Sequence, residues 1–351
     1  MKKYINGLNG IRAIAVFFVI ISHRFPKVHI TRSFPLGNYG VDIFFVLSGF
    51  LISRILFYQI KNSQKQELSN YVIIKNFILR RALRIFPLYY SLLFFLYFTK
   101  GIIGDKIREN FLWYFFYCAN FLNYNENRWF GALAHLWSLS VEEQFYIFWP
   151  LLLIIVFKNR ILTLITLIIF IGTIYPFFFT SGFVKVLTLG CINTFGIGAL
   201  LAYVEINKPE YKYLFMKISR ILFIPVLILI CYHNLIVNIL YFSERLAISI
   251  IAIHIIATCL WKPETFIVSK ILSNKVLNFI GVISYGIYLF HNIVPKYWIW
   301  ALTKLNYETP ATHYEFSYLE FIIQTAFIIG LSYLSWILFE KPILKLKEYI
   351  K

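Results

Sequence analysis

Residues 135–157 read HLWSLSVEEQFYIFWPLLLIIVF. As a helix, 23 residues extend about 34 Å, enough to cross a hydrocarbon core of about 30 Å. The run is apolar except for its opening and one pair, Glu142 and Glu143. His135, Ser138 and Glu142 are separated by helical steps of three and four and share a face, while Glu143 points about 100° away, beside Ser140. Ionisable groups at membrane depth are costly and mark function by default. The competing reading is one glutamate holding a neighbouring helix by a hydrogen bond.

The rest of the chain has the same character. Of 351 residues, 60% are hydrophobic and 14% charged, against about 25% charged in a soluble domain. That excludes a soluble enzyme with one core, and also a disordered chain. Ten candidate spans fall near 8–23, 40–57, 85–99, 135–157, 161–180, 186–204, 218–237, 246–261, 277–295 and 319–339. The stretch 111–122 is too short to cross and reads as an interfacial or re-entrant piece. The expected fold is an all-α polytopic helical bundle of about ten transmembrane helices, one domain over 1–351 with no fused soluble domain. Lys and Arg distribute 21 to one set of loops and 11 to the other, which places both termini in the cytoplasm. The net charge of +18 therefore reports threading, and no nucleic-acid partner is expected. Arg12 interrupts the first apolar run and no small-residue cleavage site follows, so this segment reads as an uncleaved span. Cys118, Cys191, Cys231 and Cys259 have no metal-type or redox-type spacing and read as inert thiols.

Sorting the remaining polar residues by depth separates two chemistries. Arg12 and His23 lie on the first span, about 16 Å apart along a helix. Asp42 begins the second span at the level of His23, and a carboxylate there would fix the imidazole tautomer for a general base. An interfacial histidine and an N-cap aspartate explain the pair equally well. Ser284, Tyr288 and His291 form another stripe ending at that level, with ordinary interface residues as the alternative. At the other face, LRRALRIFPLYY (79–90) gathers Arg80, Arg81 and Arg84. Guanidinium groups suit phosphates, but for this cluster alone a positive stop signal against lipid headgroups is the better reading, and Arg12 at a similar depth moves it only slightly toward phosphate. Arg54 lies within a span. Glu340-Lys341-Pro342 ends the last span, with the proline as a helix stop. Walker, dinucleotide, HExxH and G-x-S-x-G motifs are absent, and no metal is expected. A transporter of a charged solute fits these facts as well as an enzyme does.

The same strings resemble membrane acyltransferase family 3, the bacterial O-acyltransferases that modify cell-surface glycans. They run in order along nearly the whole chain: YINGLNGIRAIAVFFVIISH (4–23), YGVDIFFVLSGFLISRIL (39–56), RRALRIFPLYY (80–90), HLWSLSVEEQFYIFWPLLL (135–153), ISYGIYLFH (283–291) and FEKP (339–342). The resemblance implies an integral protein of the bacterial cytoplasmic (inner) membrane. It also implies acyl-CoA, usually acetyl-CoA, as donor and a sugar hydroxyl of a surface glycan or lipid-linked precursor as acceptor. Carried over, Arg12 and His23 match the family's essential pair, and Arg81 and Arg84 its arginine motif. Asp42 matches the G-V-D aspartate, and Glu142 and Glu143 the paired glutamates. Asn9 departs, standing where many relatives have aspartate. The expected site thus has His23, Asp42, Glu142 and Glu143 as catalytic residues and Arg12, Arg81 and Arg84 on the CoA phosphates. Ser138 and Ser140 are candidate nucleophiles. A glycan-precursor transporter, an accessory subunit and acylation of a small metabolite are the other readings.

Overall fold

A computed structural model describes residues 5–25, 33–66, 69–99, 104–156, 160–239, 243–262, 267–310 and 316–350. Among them there are helices and no strands. The long helices are α1 (Leu8–Arg24), α2 (Leu36–Gln66) and α3 (Asn70–Phe98). Three short helices follow, α4 (Gly104–Glu109), α5 (Phe111–Phe115) and α6 (Ala119–Asn125). Then come α7 (Leu136–Ile155), α8 (Ile161–Ile174), α9 (Thr188–Ile206), α10 (Lys212–Leu235) and α11 (Glu244–Trp261). The chain closes with α12 (Ile267–Leu272), α13 (Lys275–Val282), α14 (Ser284–Phe290), α15 (Val294–Lys304), α16 (Tyr318–Ser335) and α17 (Lys341–Lys345). Seven helices among the described residues are long and apolar enough to cross a membrane, as a helical membrane protein requires.

The helices divide by what surrounds them. In α2, 72% of the apolar stretch is buried, whereas in α10 the share is 11%. An apolar helix exposed nearly all round belongs against lipid. The α2–α9 contact is closer than side chains allow. A Cβ on Gly49 would lie 2.2 Å from the Phe195 carbonyl oxygen, and one on Gly198 2.2 Å from that of Val46. Only glycine permits this backbone approach. Arg54 ties the same helices further along, its Nε and Nη2 donating to the two oxygens of Glu205 at 2.7 and 2.8 Å.

Three local departures from the expected spans matter for the site. The 277–295 segment is not one helix: α13 and α14 meet at a break at Ile283, where the Ser284 hydroxyl donates to the Gly281 carbonyl at 2.9 Å. The 111–122 piece folds as α5 and α6, with Tyr117 left-handed at φ 53° between them. It docks on α7 as Gln144 donates to the Tyr117 carbonyl and the Ala119 N–H donates to Ser140 Oγ. Pro342 does not stop the last helix. It occupies the first turn of α17 after a π-turn at Trp336–Glu340, where a missing N–H breaks no bond.

Candidate active site

A cavity of about 90 Å³ in the bundle is lined by residues of five helices, among them Arg12, Arg81, Arg84, Glu142 and Ser138. All three expected phosphate-binding arginines therefore converge, although 72 residues of sequence separate Arg12 from Arg84. Arg12 is held by Asn9, whose Oδ1 accepts from Arg12 Nη1 at 3.0 Å. Asn9 Nδ2 in turn donates to Asn278 Oδ1 at 2.8 Å. The neutral amide at the family's variant position thus orients the guanidinium without neutralising it. Arg81 lies over the Tyr146 ring at 5.4 Å and the Phe77 ring at 5.8 Å, a cation–π arrangement. Arg80 turns away, and its Nη2 donates to the Ile350 carbonyl at 2.7 Å. Within the cavity wall Ser48 donates to Glu142 Oε1 at 2.5 Å and lies 3.3 Å from the Tyr146 hydroxyl. No carboxylate forms an ion pair with Arg12, Arg81 or Arg84 among the described residues.

The cavity leads by a polar line to His23. Ser138 Oγ and the Tyr288 hydroxyl, both in its wall, share a hydrogen bond of 2.5 Å. The Tyr288 ring is 5.5 Å from His291, and the His291 ring is 5.1 Å from His23 and 4.8 Å from His135. Each imidazole gives one N–H to a backbone carbonyl. His23 Nδ1 donates to Val19 at 2.9 Å, His291 Nδ1 to Tyr288 at 2.6 Å and His135 Nε2 to Leu289 at 3.2 Å. In the neutral rings the second nitrogen therefore carries a lone pair. It is buried without a partner in His135 and His291, whereas His23 is exposed at the end of α1.

The family model described as the acyltransferase domain matches residues 5–340. The chain belongs to that family. Membership places it among enzymes that move acyl groups. A Staphylococcus aureus (strain COL) protein named as an O-acetyltransferase is 31% identical over 328 residues, which cover 82% of this chain and 50% of the relative. The peptidoglycan O-acetyltransferase OatA of Listeria monocytogenes is 32% identical over 324 residues, covering 83% and 49%. A Bacillus subtilis protein named for the same peptidoglycan activity is 29% identical, with 82% and 48% covered. This acyltransferase domain spans about half the length of the curated relatives it matches. No solved structure matches it.

Two expected members of the acyltransferase site stand elsewhere. Asp42 makes no bond to His23. Its Oδ1 accepts from Arg245 Nε at 2.7 Å, and Arg245 Nη1 reaches the Lys185 and Gly190 carbonyls. The Val19 carbonyl, one helical turn before His23, does the tautomer-fixing assigned to Asp42. Asp42, in the second turn of α2, points toward Arg245 in the first turn of α11, while Gly40 two residues earlier is the position that packs on α1. Glu143 is buried outside the cavity wall, and its Oε1 has no hydrogen-bond partner. Ser140 accepts from the α6 backbone, which is a scaffold role. Ser48, Tyr146 and Asn278 were not singled out from sequence. Ser48 lies seven residues, two turns, from Val41 on the cavity-facing side of α2. That face is detectable only once one cavity residue of α2 is known. Among the described residues no three His, Cys, Asp or Glu side chains are arranged to hold a metal, and the four cysteines form no disulfide.

Proposed function

We propose that this chain transfers an acetyl group from acetyl-CoA to a hydroxyl of a cell-surface glycan or its lipid-linked precursor. The observation that carries the reading is the convergence of Arg12, Arg81 and Arg84, none ion-paired to a carboxylate, on a cavity joined to His23. Half-buried cations clustered together, with no carboxylate at ion-pair distance, are unfavourable unless an anion completes them, and a CoA phosphate is such an anion. In this reading about ten spans thread the bacterial cytoplasmic membrane with both termini inside. The arginines face the cytoplasm, and His23 faces outward.

The acceptor hydroxyl attacks the thioester carbonyl carbon, forming the C–O bond as the C–S bond breaks. His23 Nε2, whose lone pair is left free because Nδ1–H is held by the Val19 carbonyl, takes the hydroxyl proton and returns it to the departing sulfur. Glu142, held by Ser48, helps place the arginines, and Glu143, buried outside the cavity wall, adds negative charge near Arg81. Asp42 anchors α2 to α11 and has no proton-transfer role. The name of the Listeria relative supports a peptidoglycan sugar as one acceptor within this class.

The test uses the full chain in lipid nanodiscs with radiolabelled acetyl-CoA, and mass spectrometry of surface glycans from cells with and without the gene. One acetyl mass per modified sugar should be lost with the gene. His23→Ala should lower turnover by about 10²- to 10⁴-fold, the range of general-base catalysis. Solute flux without acetyl-CoA turnover would replace this reading with transport.

A further inference from the structure

Behind His23 stand two imidazoles that the proposed transfer does not use. His291 is fully buried and His135 is 2% exposed. His291 caps the C-terminal end of α14, and His135 caps the N-terminal end of α7. Their ring centroids are 4.8 Å apart, and the His23 ring is 5.1 Å from that of His291. Two imidazoles joined by one N–H···N bond have centroids about 5 Å apart. His291 is therefore within reach of both other rings.

The hydrogen bonds of the neutral pair do not close. Carbonyl oxygens only accept, so Tyr288 fixes the proton of His291 on Nδ1 and Leu289 fixes that of His135 on Nε2. A lone pair remains on His291 Nε2 and another on His135 Nδ1, and neither has a partner. Burying a bare acceptor is unfavourable. A single added proton satisfies both: protonated His291 donates from Nδ1 to Tyr288 and from Nε2 to His135 Nδ1, while His135 still donates to Leu289. Carbonyls at the C-terminal end of a helix favour a cation, and N–H groups at the N-terminal end disfavour one. The charge therefore belongs on His291 and the accepting lone pair on His135. The other charged or titratable groups around the pair are His23, Tyr288 and Arg24, with Glu320 of α16 near Arg24. Arg24 donates to Gln324, and its charge opposes a second added proton.

We propose that His291 and His135 form a one-proton store behind His23. The inference rests on the proposed acetyl transfer with His23 as base. The acceptor O–H bond breaks as its proton joins His23 Nε2. That proton passes to His291 Nε2, where His135 Nδ1 accepts the hydrogen bond, and returns by way of His23 to the sulfur as the C–S bond breaks. His291 acts through His23 and is a positioning residue. Its bond to His135 exists only while the acceptor proton is held, so it speeds the chemical step without strengthening substrate binding.

The experiment uses the full chain in nanodiscs of phosphatidylglycerol and phosphatidylethanolamine, with acetyl-CoA as donor and an N-acetylglucosamine disaccharide as acceptor probe. His291→Asn keeps a donor for the Tyr288 carbonyl and lacks the Nε2 lone pair, and His135→Gln keeps a donor for Leu289 and lacks Nδ1. Each should lower kcat about 10- to 100-fold. The KM for acetyl-CoA should stay within about twofold, at the wild-type unfolding temperature. In mixtures of light and heavy water the wild-type rate should vary non-linearly with isotope fraction, because more than one proton moves, and linearly in both variants. An unchanged kcat in folded His291→Asn would overturn the store. So would a kcat loss that leaves the isotope dependence as in the wild type, which would make the role structural. Ring-nitrogen NMR of histidine-labelled protein tests the pair without turnover. On acidification the His135 and His291 signals should change together as one proton enters. Independent titration of the two rings, with acetyl transfer intact, would overturn the store and leave the transfer reading standing. Joint uptake of one proton without any acetyl transfer would support the pair as a proton site and refute the transfer reading instead.

Discussion

Arg54 and Arg81 are both guanidinium groups in apolar surroundings, yet they are treated in opposite ways. Arg54 is gripped by both oxygens of Glu205. Arg81 rests on aromatic rings beside Arg12 and Arg84, with no carboxylate at ion-pair distance among the described residues. Arg245 follows the first pattern, with Asp42. A cation that completes its own charge balance holds helices together, and one that does not leaves the balance to a ligand. The distinction separates scaffold from site more sharply than burial or residue type.

The largest expected effect breaks the scaffold side. Arg54→Met strands Glu205 in the bundle and should cost about 3–5 kcal/mol of stability, read as a drop in unfolding temperature in detergent, with Arg54→Met/Glu205→Gln recovering part of it. Next comes the site side. Arg81→Met should raise the KM for acetyl-CoA about 10- to 100-fold, from loss of charged hydrogen bonds of about 1.5–3 kcal/mol. It should leave the unfolding temperature unchanged or higher, because a like-charged neighbour is gone. A stability loss equal to that of Arg54→Met would erase the contrast. Asp42→Asn is a smaller, sharpening change, expected to cost about 1–3 kcal/mol of stability through Arg245. Turnover per folded molecule should stay within about threefold, whereas a large kcat loss would return Asp42 to the chemistry. The smallest effect belongs to Asn9→Asp. The Asn278 amide can rotate to donate, so the fold should hold. Partial neutralisation of Arg12 should weaken acetyl-CoA binding by only a few-fold, measured by titration.

The sequence carried the helical membrane class through its apolar runs, whereas the arginine trio was singled out by the family resemblance of its motifs, since residue type and depth alone gathered Arg80 with Arg81 and Arg84. It also indicated which end of α1 bears His23. Partners across the bundle were out of reach, because depth along a helix is one coordinate and rotation toward a particular neighbour is another. Asp42 and His23 share a level, but Asp42 faces a residue 203 positions away. Arg80 and Arg84 sit on one helical face by spacing, yet the chain end captures Arg80. The break at Ile283 was equally hidden, since hydropathy does not register a serine hydroxyl taking a backbone carbonyl. Asn9 read as a departure that removed a carboxylate; in the fold it keeps Arg12 both fixed and charged.

The glycine seam between α2 and α9 also sets where the molecule can yield. Two backbones in contact have no side-chain layer to repack, so that wall behaves as a stiff partition with the arginine cavity lined by one face of α2 and Asp42 on another. Compliance is left to α10, whose apolar stretch is mostly exposed and which has few buried contacts to lose when it moves. Any breathing that admits a bulky ligand is therefore borne by the lipid-facing side, and its rate should respond to bilayer thickness and fluidity more than to changes in the core.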